Sequence, residues 1–205
     1  MGASFQIDVR AIELFLKKHQ EGEDVKEALR WRTMTHWLKP EADRLSGRML
    51  PVYKELIGHL EWPFSILDVG CMAGWLKHFI APNFEKPFNY VGIDQWQEAL
   101  DVAKEFDPYI EVYKKDILTD EILGPLGAGF DARYKYTWCS NIQFGADAPK
   151  VIQKMMDITE KYAFFGMPNY CGDYAAMAEE LGFKTETYDC GEAHGSQQTL
   201  VKVWR

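Results

Sequence analysis

The feature that most constrains the fold is an apolar β-strand pattern that ends in a glycine-bounded turn and continues as an apolar helix. It runs from Ile66 to Leu76 and reads ILDVGCMAGWL. Gly70 and Gly74 can take backbone angles that a side chain disfavours, so this turn can pass close to a ligand. The following helix presents its free amide groups at the same place. The pattern therefore predicts an α/β protein with a nucleotide-type ligand at the turn.

The glycine spacing distinguishes between nucleotide ligands. A dinucleotide fingerprint has Gly-x-Gly-x-x-Gly, but Met72 and Trp75 occupy its second and third glycine positions, which argues against nicotinamide and flavin. The segment ILDVGCMAG instead resembles the first motif of the Rossmann-like (class I) S-adenosylmethionine (SAM) methyltransferases. That motif is an acidic residue followed by Gly-x-Gly-x-Gly, and Met72 replaces its middle glycine.

Composition sets the size and the surroundings of the protein. With 205 residues, 47% of them hydrophobic, the chain can bury one good core, and we expect one domain with an appendage. No run is long enough to span a bilayer and the first residues lack a signal-peptide pattern, so we expect a cytoplasmic protein with no membrane partner. The four cysteines are scattered without CxxC pairing, which is typical of reduced structural thiols.

The net charge of −8 disfavours unassisted binding to long nucleic acid, although it leaves an RNA acceptor open. The charge is uneven: residues 1–60 hold 10 basic and 9 acidic residues, whereas residues 61–205 hold 13 and 22. The first segment is compatible with an anionic substrate or is simply a solvated helix surface.

The chain divides at about residue 60. Residues 8–60 show helical spacing, with a capping-box pattern at Asp24 and Glu27 and a last helix from Glu41 to Leu60 that is bent or restarted at Pro51. From Phe64 onward, short β-rich runs alternate with helices, which predicts a doubly wound, mostly parallel α/β sheet. The predicted strands are Phe64–Val69, Asn89–Ile93, Ile110–Tyr113, Tyr134–Cys139, Tyr162–Gly166, Lys184–Tyr188 and Thr199–Trp204, and the predicted helices are Trp75–Ile80, Gln97–Phe106, Ala148–Lys161 and Tyr174–Leu181.

The last two strands should form an antiparallel hairpin, because about ten residues, Asp189 to Gln198, are too few for a helical crossover. Seven strands that end in such a hairpin are the arrangement of the methyltransferase family. The resemblance covers roughly residues 60–205. We therefore predict an N-terminal helical cap or lid over residues 1–60 and a SAM-binding domain over residues 61–205.

The acidic residues that end the first two strands are candidate cofactor ligands, because ligands of open α/β sheets lie at the carboxyl ends of the strands. The resemblance implies that Asp68 holds the glycine turn and reaches the amino acid part of SAM, unless it stabilises the turn alone. Met72 packs at the rim of the pocket or narrows it. Asp94 can accept both ribose hydroxyl protons. Gln95 and Trp96 follow it and could line the adenine or ribose, although Trp96 could equally be a packing residue at a helix start.

The third and fourth strands add the remaining candidates. The resemblance implies that Asp116 accepts a hydrogen bond from the adenine amino group and that Ile117 meets the ring through its backbone. An ion pair between Asp116 and a preceding lysine is the alternative. Ser140 follows the fourth strand, where base-amine methyltransferases often have an Asn-Pro-Pro-Tyr-like tetrapeptide that this chain lacks. Methylation of DNA base amines is therefore disfavoured.

His194 and His36 are the candidate general bases, since imidazole titrates near neutrality, but a lone histidine is more often structural. Cys190 and His194 lack two further ligands at suitable spacing, so no metal site is predicted. The hypothesis is a SAM-dependent methyltransferase with a small-molecule acceptor. The alternatives are an RNA or protein acceptor, or a SAM-binding module without catalysis. Trp31, Trp37 and Tyr53 would form a lid or simply dock the helices on the sheet.

Overall fold

The computed structural model describes residues 25–38, 44–125, 133–140, 145–168, 173–193 and 195–205. Helices and strands alternate through most of this part of the chain, as the hydrophobic pattern predicts. The elements, in chain order, are α1 Val25–Leu38, α2 Arg44–His59, β1 Ser65–Val69, α3 Trp75–Ile80, β2 Asn89–Asp94, α4 Gln97–Phe106, β3 Val112–Lys114, β4 Tyr134–Ser140, α5 Ala148–Asp157, β5 Thr159–Pro168, α6 Tyr174–Glu180, β6 Lys184–Ala193 and β7 Ser196–Trp204.

The described strands form one seven-stranded sheet in the order β3-β2-β1-β4-β5-β7-β6. β1 pairs in parallel with β2 and β4, while β3 and β5 extend the parallel sheet on either side. β7 is antiparallel to both β5 and β6. This confirms the predicted α/β architecture, a mostly parallel sheet with a terminal antiparallel hairpin. The chain order reverses direction between β1 and β4, which opens a crevice at the carboxyl ends of these strands.

Alternating side chains of the central strands divide the core between the two faces of the sheet. Ile66 and Tyr90 pack on one face with residues of α1 to α4, and Leu67 and Val91 pack on the other with residues of α5 and α6. We refer to these as the α1–α4 face and the α5–α6 face. Because both faces are covered, the central strands are buried at nearly every position.

Helix α1 is oriented against α4 by ion pairs. Lys26 Nζ lies 2.6 Å from Asp101 Oδ2, and Arg30 donates to both carboxylate oxygens of Glu105 at 2.6 and 2.9 Å. These groups are partly exposed, so the pairs contribute more to orientation than to stability. Thr33 is buried and its Oγ1 accepts a hydrogen bond from Trp75 Nε1 at 3.2 Å, which connects α1 to the first turn of α3.

Two local predictions are wrong in their bounds, and one of the two alternatives for α2 is excluded. The helix predicted over Ala148–Lys161 ends at Asp157, because Thr159 turns inward, is buried and pairs its hydroxyl with that of Thr137 at 2.8 Å. The ten-residue loop predicted over 189–198 is mostly β-structure, with β6 and β7 paired almost to the turn. Helix α2 runs through Pro51 without restarting. No helix within the described residues has the length and apolar character needed to cross a membrane.

Candidate functional site

A cavity of about 490 Å³ lies at the carboxyl ends of β1, β2 and β4. Its walls come from the glycine turn after β1, from the ends of β2 and β4, from the segment after β3, and from α2 and α3. Seven of the residues predicted to bind a cofactor line it: Asp68, Gly70, Met72, Asp94, Gln95, Ile117 and Ser140.

The glycine turn is anchored to β2 by three hydrogen bonds. The backbone N–H groups of Gly70 and Cys71 donate to the carbonyl oxygen of Ile93 at 2.8 and 3.1 Å. The next amide, that of Met72, donates to Asp94 Oδ2 at 2.9 Å. These bonds fix the turn against the strand that carries the second acidic residue. The turn after Asp68 and the end of β2 at Asp94 are therefore held together.

Met72 adopts a left-handed backbone conformation with φ of 50°. It stands where the methyltransferase motif has its middle glycine. Glycine takes this conformation without strain, whereas a residue with a side chain loses roughly 1–2 kcal/mol of stability in it. The side chain is half-buried, lines the cavity and packs against the core of the α1–α4 face. The turn therefore retains the glycine-type backbone path although the residue has changed.

Gly74, also predicted to bind the cofactor, does not line the cavity and has a packing role instead. Its φ is 73°, and a Cβ atom there would lie 2.3 Å from Ile110 Cδ1. Gly92 on β2 has a related role, because a Cβ atom there would lie 2.7 Å from Cys71 Sγ. Both glycines let the turn lie close to the strands that flank it.

Asp94 uses both carboxylate oxygens as hydrogen-bond acceptors. Oδ2 accepts from the Met72 amide, and Oδ1 accepts from the Trp96 amide at 2.9 Å. Each carboxylate oxygen has a second lone pair, so the group can still accept hydrogen bonds from a ligand in the cavity. The two bonds fix the orientation of the carboxylate before any ligand binds.

Asp68 is the buried acidic group of the site, with only 3% of its surface exposed. Its Oδ2 accepts a hydrogen bond of 2.7 Å from the Tyr90 hydroxyl on β2. Burial raises the pKa of Asp68 to about 7; the hydrogen bond from Tyr90 opposes this rise and the negative charge of Asp94 adds to it. The group can therefore change its protonation state near neutral pH.

Two further predicted ligands lie outside the cavity walls. Trp96 forms the N-cap of α4 and packs against the core of the α1–α4 face, so the packing alternative describes its place. Asp116 uses Oδ1 to accept from the Leu118 amide at 2.8 Å, and its own amide donates to Asp120 Oδ2. Its carboxylate thus closes the turn after β3, while the neighbouring Lys115 and Ile117 line the cavity.

Both proposed bases lie outside the side chains that the structure describes. His194 lies outside the described residues, and His36 lies on α1 in a stretch whose side chains are not described. His59 is described, but it contacts Glu55 Oε1 at 3.2 Å and the Tyr188 ring at 4.6 Å, away from the cavity. Trp31 and Trp37 of the suggested lid are also outside the described side chains, whereas Tyr53 lines the cavity.

Several lining residues were missed by the sequence reasoning: Met49, Leu76, Lys115 and Trp138. Trp138 could have been found, because it lies on β4 two residues before Ser140 and side chains two apart share one face of a strand. Met49 could not, since its place depends on how α2 crosses the sheet. No group of three metal-ligating side chains occurs within the part of the chain that the structure describes, and Cys71, Cys139 and Cys190 are not in disulfides.

The turn, the two acidic residues and the cavity fit a nucleoside with a positively charged group. Hydroxyl groups need acceptors such as Asp94, and a cation is favoured by nearby carboxylates in a partly buried site. The lining carries two carboxylates and one described basic side chain, that of Lys115. A pyrophosphate would instead meet this negative charge, so the site suits a nucleoside sulfonium better than a dinucleotide.

Comparisons with known proteins support the fold. No family model matches the sequence, and no curated protein matches it. A TehB-like SAM-dependent methyltransferase from Corynebacterium glutamicum has a similar structure, with a TM-score of 0.61, 14% identity, and coverage of 97% of this chain and 100% of that chain.

Two further solved structures are also similar to this chain in fold. The magnesium protoporphyrin IX methyltransferase from Synechocystis, solved with bound SAH, has a TM-score of 0.59 and 13% identity, with 88% of this chain and 98% of that chain covered. A SAM-dependent methyltransferase from Aquifex aeolicus has a TM-score of 0.58 and 12% identity, with the same coverages.

Proposed function

We propose that this chain, which has the fold of the Rossmann-like, class I SAM methyltransferases, is an enzyme that transfers the methyl group of SAM to a small-molecule acceptor. The observation that carries the proposal is the pair of carboxylates, Asp68 and Asp94, held on either side of a glycine-type turn in one cavity. Bound SAM supplies a methyl group activated by a positively charged sulfur.

Asp94 would hold the ribose. Its orientation is fixed by the amides of Met72 and Trp96, and each oxygen has a lone pair left for a hydroxyl group. Gln95, which also lines the cavity, extends this contact toward the base. Ile117 is the proposed adenine contact after β3. Asp116 would meet the adenine amino group with a lone pair that its bond to the Leu118 amide leaves unused.

Asp68 and the turn of Gly70 and Met72 would hold the amino acid part. An ammonium group near Asp68 stabilises the ionised carboxylate, so binding releases the proton that Asp68 carries below pH 7. Affinity for SAM is therefore expected to weaken as the pH falls from 8 to 6. Ser140 ends β4 beside this region and would lie on the side where the acceptor enters.

The segment over residues 1–60 is proposed as a cap on the acceptor side. Within its described part, Met49 and Tyr53 of α2 contribute directly to the cavity wall. Closing the cavity with these side chains excludes water and aligns the acceptor with the methyl group, which is the main requirement for this reaction. His36 and His194 remain the proposed bases for an acceptor that must lose a proton.

The second candidate function is a SAM-binding module without turnover, and Met72 is the observation that favours it. Its side chain lies in the cavity where the motif usually has no side chain at all. Such a module would bind SAM and S-adenosylhomocysteine (SAH) but would form no SAH from SAM with any pool of metabolites, RNA or protein. Turnover with any of the three pools would exclude it, and the pool that reacts would identify the acceptor class.

The first test is calorimetric titration of the purified chain with SAM and with SAH, with NAD as the control. We expect binding of both sulfur compounds in the micromolar range, typical of small-ligand sites, and no binding of NAD. Binding of NAD in preference to SAM, or no binding of SAM and SAH by the folded chain, would contradict the proposal.

A further inference from the structure

We propose that the acceptor is a flat, uncharged aromatic molecule of about the size of a single ring, held against a surface formed by Met49, Tyr53 and Trp138. We refer to these three residues as the aromatic wall. The inference rests on the proposed function and specifies the substrate class of that same cavity. Its support is the position of the wall, its rigidity and its lack of charge.

The sheet order places the aromatic wall on the acceptor side. Asp94, Gln95 and Ile117 belong to the β2 and β3 side of β1, where the nucleoside would lie. Trp138 belongs to β4, on the other side of β1, and α2 brings Met49 and Tyr53 to the same side. The wall is therefore the part of the cavity that the nucleoside does not need.

Trp138 is held in place by its neighbours. It is 1% exposed, and a Cβ atom at Gly166 would lie 2.4 Å from its Cη2 atom, so the ring fits because β5 has no side chain at that point. A Cβ atom at Gly166 would also lie 2.9 Å from Val52 Cγ1, so α2, which carries Val52, packs against the same point of β5 as the ring. Met49, Tyr53 and Trp138 are 5%, 4% and 1% exposed, so the edges of these side chains face the cavity and need little ordering on binding.

Tyr53 is also fixed between aromatic partners. Its ring centroid lies 4.9 Å from that of Phe79 and 5.8 Å from that of Trp138, with tilted planes. Aromatic rings favour offset or edge contacts at such distances, and a flat ligand ring can continue this arrangement. A saturated ring of similar size would have the wrong thickness and no π-system.

The wall carries no charge. Among the described residues that line the cavity, the charged ones are Asp68, Asp94 and Lys115, which lie at or directly after the carboxyl ends of β1, β2 and β3. A charged acceptor placed against Met49, Tyr53 and Trp138 would lose its hydration without gaining a partner. Space also favours a small molecule, since apolar cavities of about 150 Å³ accommodate benzene and the nucleoside takes most of the volume.

An aromatic thiol is the sharpest reactive probe. It meets the aromatic wall as the neutral thiol, and it then loses its proton beside the positive sulfonium more readily than an aliphatic thiol, so no protein base is needed. Its proton goes to water, the sulfur electron pair forms a bond to the methyl carbon, and the S–CH₃ pair returns to the sulfonium. The products are a neutral methyl thioether and SAH. The positive charge of the sulfonium and the negative charge of the thiolate disappear together, so atoms and charges balance.

The first experiment measures binding without turnover. The SAH-saturated protein is titrated with phenol, with cyclohexanol and with taurine, which differ in flatness and in charge. We expect phenol to bind about tenfold more tightly than cyclohexanol, the upper end of what an aromatic contact adds, and no binding of taurine. Cyclohexanol or taurine binding as tightly as phenol would overturn the inference.

The second experiment uses variants of the wall. Tyr53→Ala is expected to weaken phenol binding about tenfold, whereas Tyr109→Ala, which removes a tyrosine that is 91% exposed, should leave it unchanged. If Tyr53→Ala does not fold, Met49→Ala removes a smaller part of the same wall and should weaken binding in the same direction. Unchanged phenol binding in the folded variant would contradict the role of the wall.

The third experiment measures SAH formation from SAM with benzenethiol and with cysteamine, an aliphatic thiol that carries an ammonium group. We expect turnover of benzenethiol alone. Turnover of cysteamine alone, with SAM bound, overturns the inference and leaves the proposed function in place. Failure to bind SAM or SAH overturns both, so the two failures can be told apart.

Discussion

The two faces of the sheet have different core compositions. On the α1–α4 face, seven of the described residues in the buried cluster are aromatic: Tyr53, Phe64, Trp75, Tyr90, Tyr136, Trp138 and Phe164. On the α5–α6 face there are three, and aliphatic residues, methionines and Cys139 fill the rest. The aromatic side supplies most of the apolar wall of the cavity, and the α5–α6 side adds Val69, Ile93 and Ile117. The comparison teaches that one face forms most of the site and that the other mainly provides close packing.

The two faces also differ in how well the hydrogen bonds of their buried polar groups are satisfied. Near the cavity, Asp68 is buried with a raised pKa and Met72 has a strained backbone, and both features lower the free energy of unfolding. On the α5–α6 side, the buried hydroxyls of Thr137 and Thr159 satisfy each other, and Thr159 also bonds the Met155 carbonyl. The ligand side therefore depends on the opposite side for stability.

The largest expected effect is on the α5–α6 face. Ile152→Ala removes a fully buried side chain of α5 and should lower the free energy of unfolding by about 3–4 kcal/mol. Chemical denaturation measures this, with Lys150→Ala, an exposed residue of the same helix, as a control expected within about 0.5 kcal/mol of wild type. SAM affinity of the folded variant should not change. A parallel loss of affinity would break the division between the faces.

At the cavity, Asp94→Ala should reduce SAM affinity about 100-fold, because charge-assisted hydrogen bonds contribute about 1.5–3 kcal/mol and the Met72 amide loses its acceptor. Calorimetric titration measures the affinity. Asp101→Ala is the matched control, since it removes a carboxylate that pairs with Lys26 on the surface of α4. Wild-type affinity in a folded Asp94→Ala protein would remove Asp94 from the proposed ribose site.

Asp68→Asn should stabilise the protein at pH 8 while it weakens SAM binding. A carboxyl with a raised pKa binds more protons when folded than when unfolded between about pH 4 and pH 7, so the wild-type free energy of unfolding falls as the pH rises through this range. The neutral asparagine avoids this loss, and we expect a gain of about 2 kcal/mol at pH 8, within the bound of about 4 kcal/mol from the pKa shift.

Denaturation at pH 5 and pH 8 checks this sign: the two proteins should differ less at pH 5. Tyr90→Phe should raise the pKa of Asp68 further, because loss of the hydroxyl donor removes the hydrogen bond that lowers this pKa. Its loss of stability between pH 5 and pH 8 should exceed that of wild type. Equal pH dependence in all three proteins would refute the assignment of a buried, titrating Asp68.

The smallest effect concerns the glycine beneath Trp138. Gly166→Ala places a Cβ atom 2.4 Å from the ring of Trp138 and should cost about 2 kcal/mol of stability. Gly58→Ala is the contrast, because nothing lies within 4 Å of a Cβ atom there and α2 would gain about 0.5–1 kcal/mol. Thermal unfolding of both variants gives the comparison. A Gly166→Ala protein as stable as wild type would show that the Trp138 ring can shift at little cost in stability.

The sheet was predictable from the sequence because its central strands are buried on both faces. β1, β2 and β4 are nearly continuous apolar runs, and the helices between them have clear apolar stripes. The end of the hairpin was not predictable, since Asp189, Glu192 and Gln197 carry no hydrophobic alternation. They are held by strand pairing and by a side-chain hydrogen bond that Gln197 donates to Asp189. The start of β5 was missed because Thr159, although buried, looks polar.

The site was predictable where backbone constraints determine it. Asp68, Gly70 and Asp94 line the cavity as expected from their positions at strand ends. Asp116 does not, because its carboxylate has a nearer partner in the Leu118 amide, and a local turn of this kind competes with a ligand contact. The walls that come from α2 depend on long-range packing, which no local pattern encodes. The cofactor roles of these residues stay predictions.

The position of β7 has a consequence for how the protein is made. β7 follows β6 in the chain but lies between β5 and β6 in the sheet. Until β7 is in place, the segment 184–193 has no strand to pair with, and β5 is left with an unpaired edge. Exposed strand edges bind other chains, so a nascent molecule is most prone to aggregation during this interval. The final nine-residue strand ends this exposure, since it covers both edges in one step.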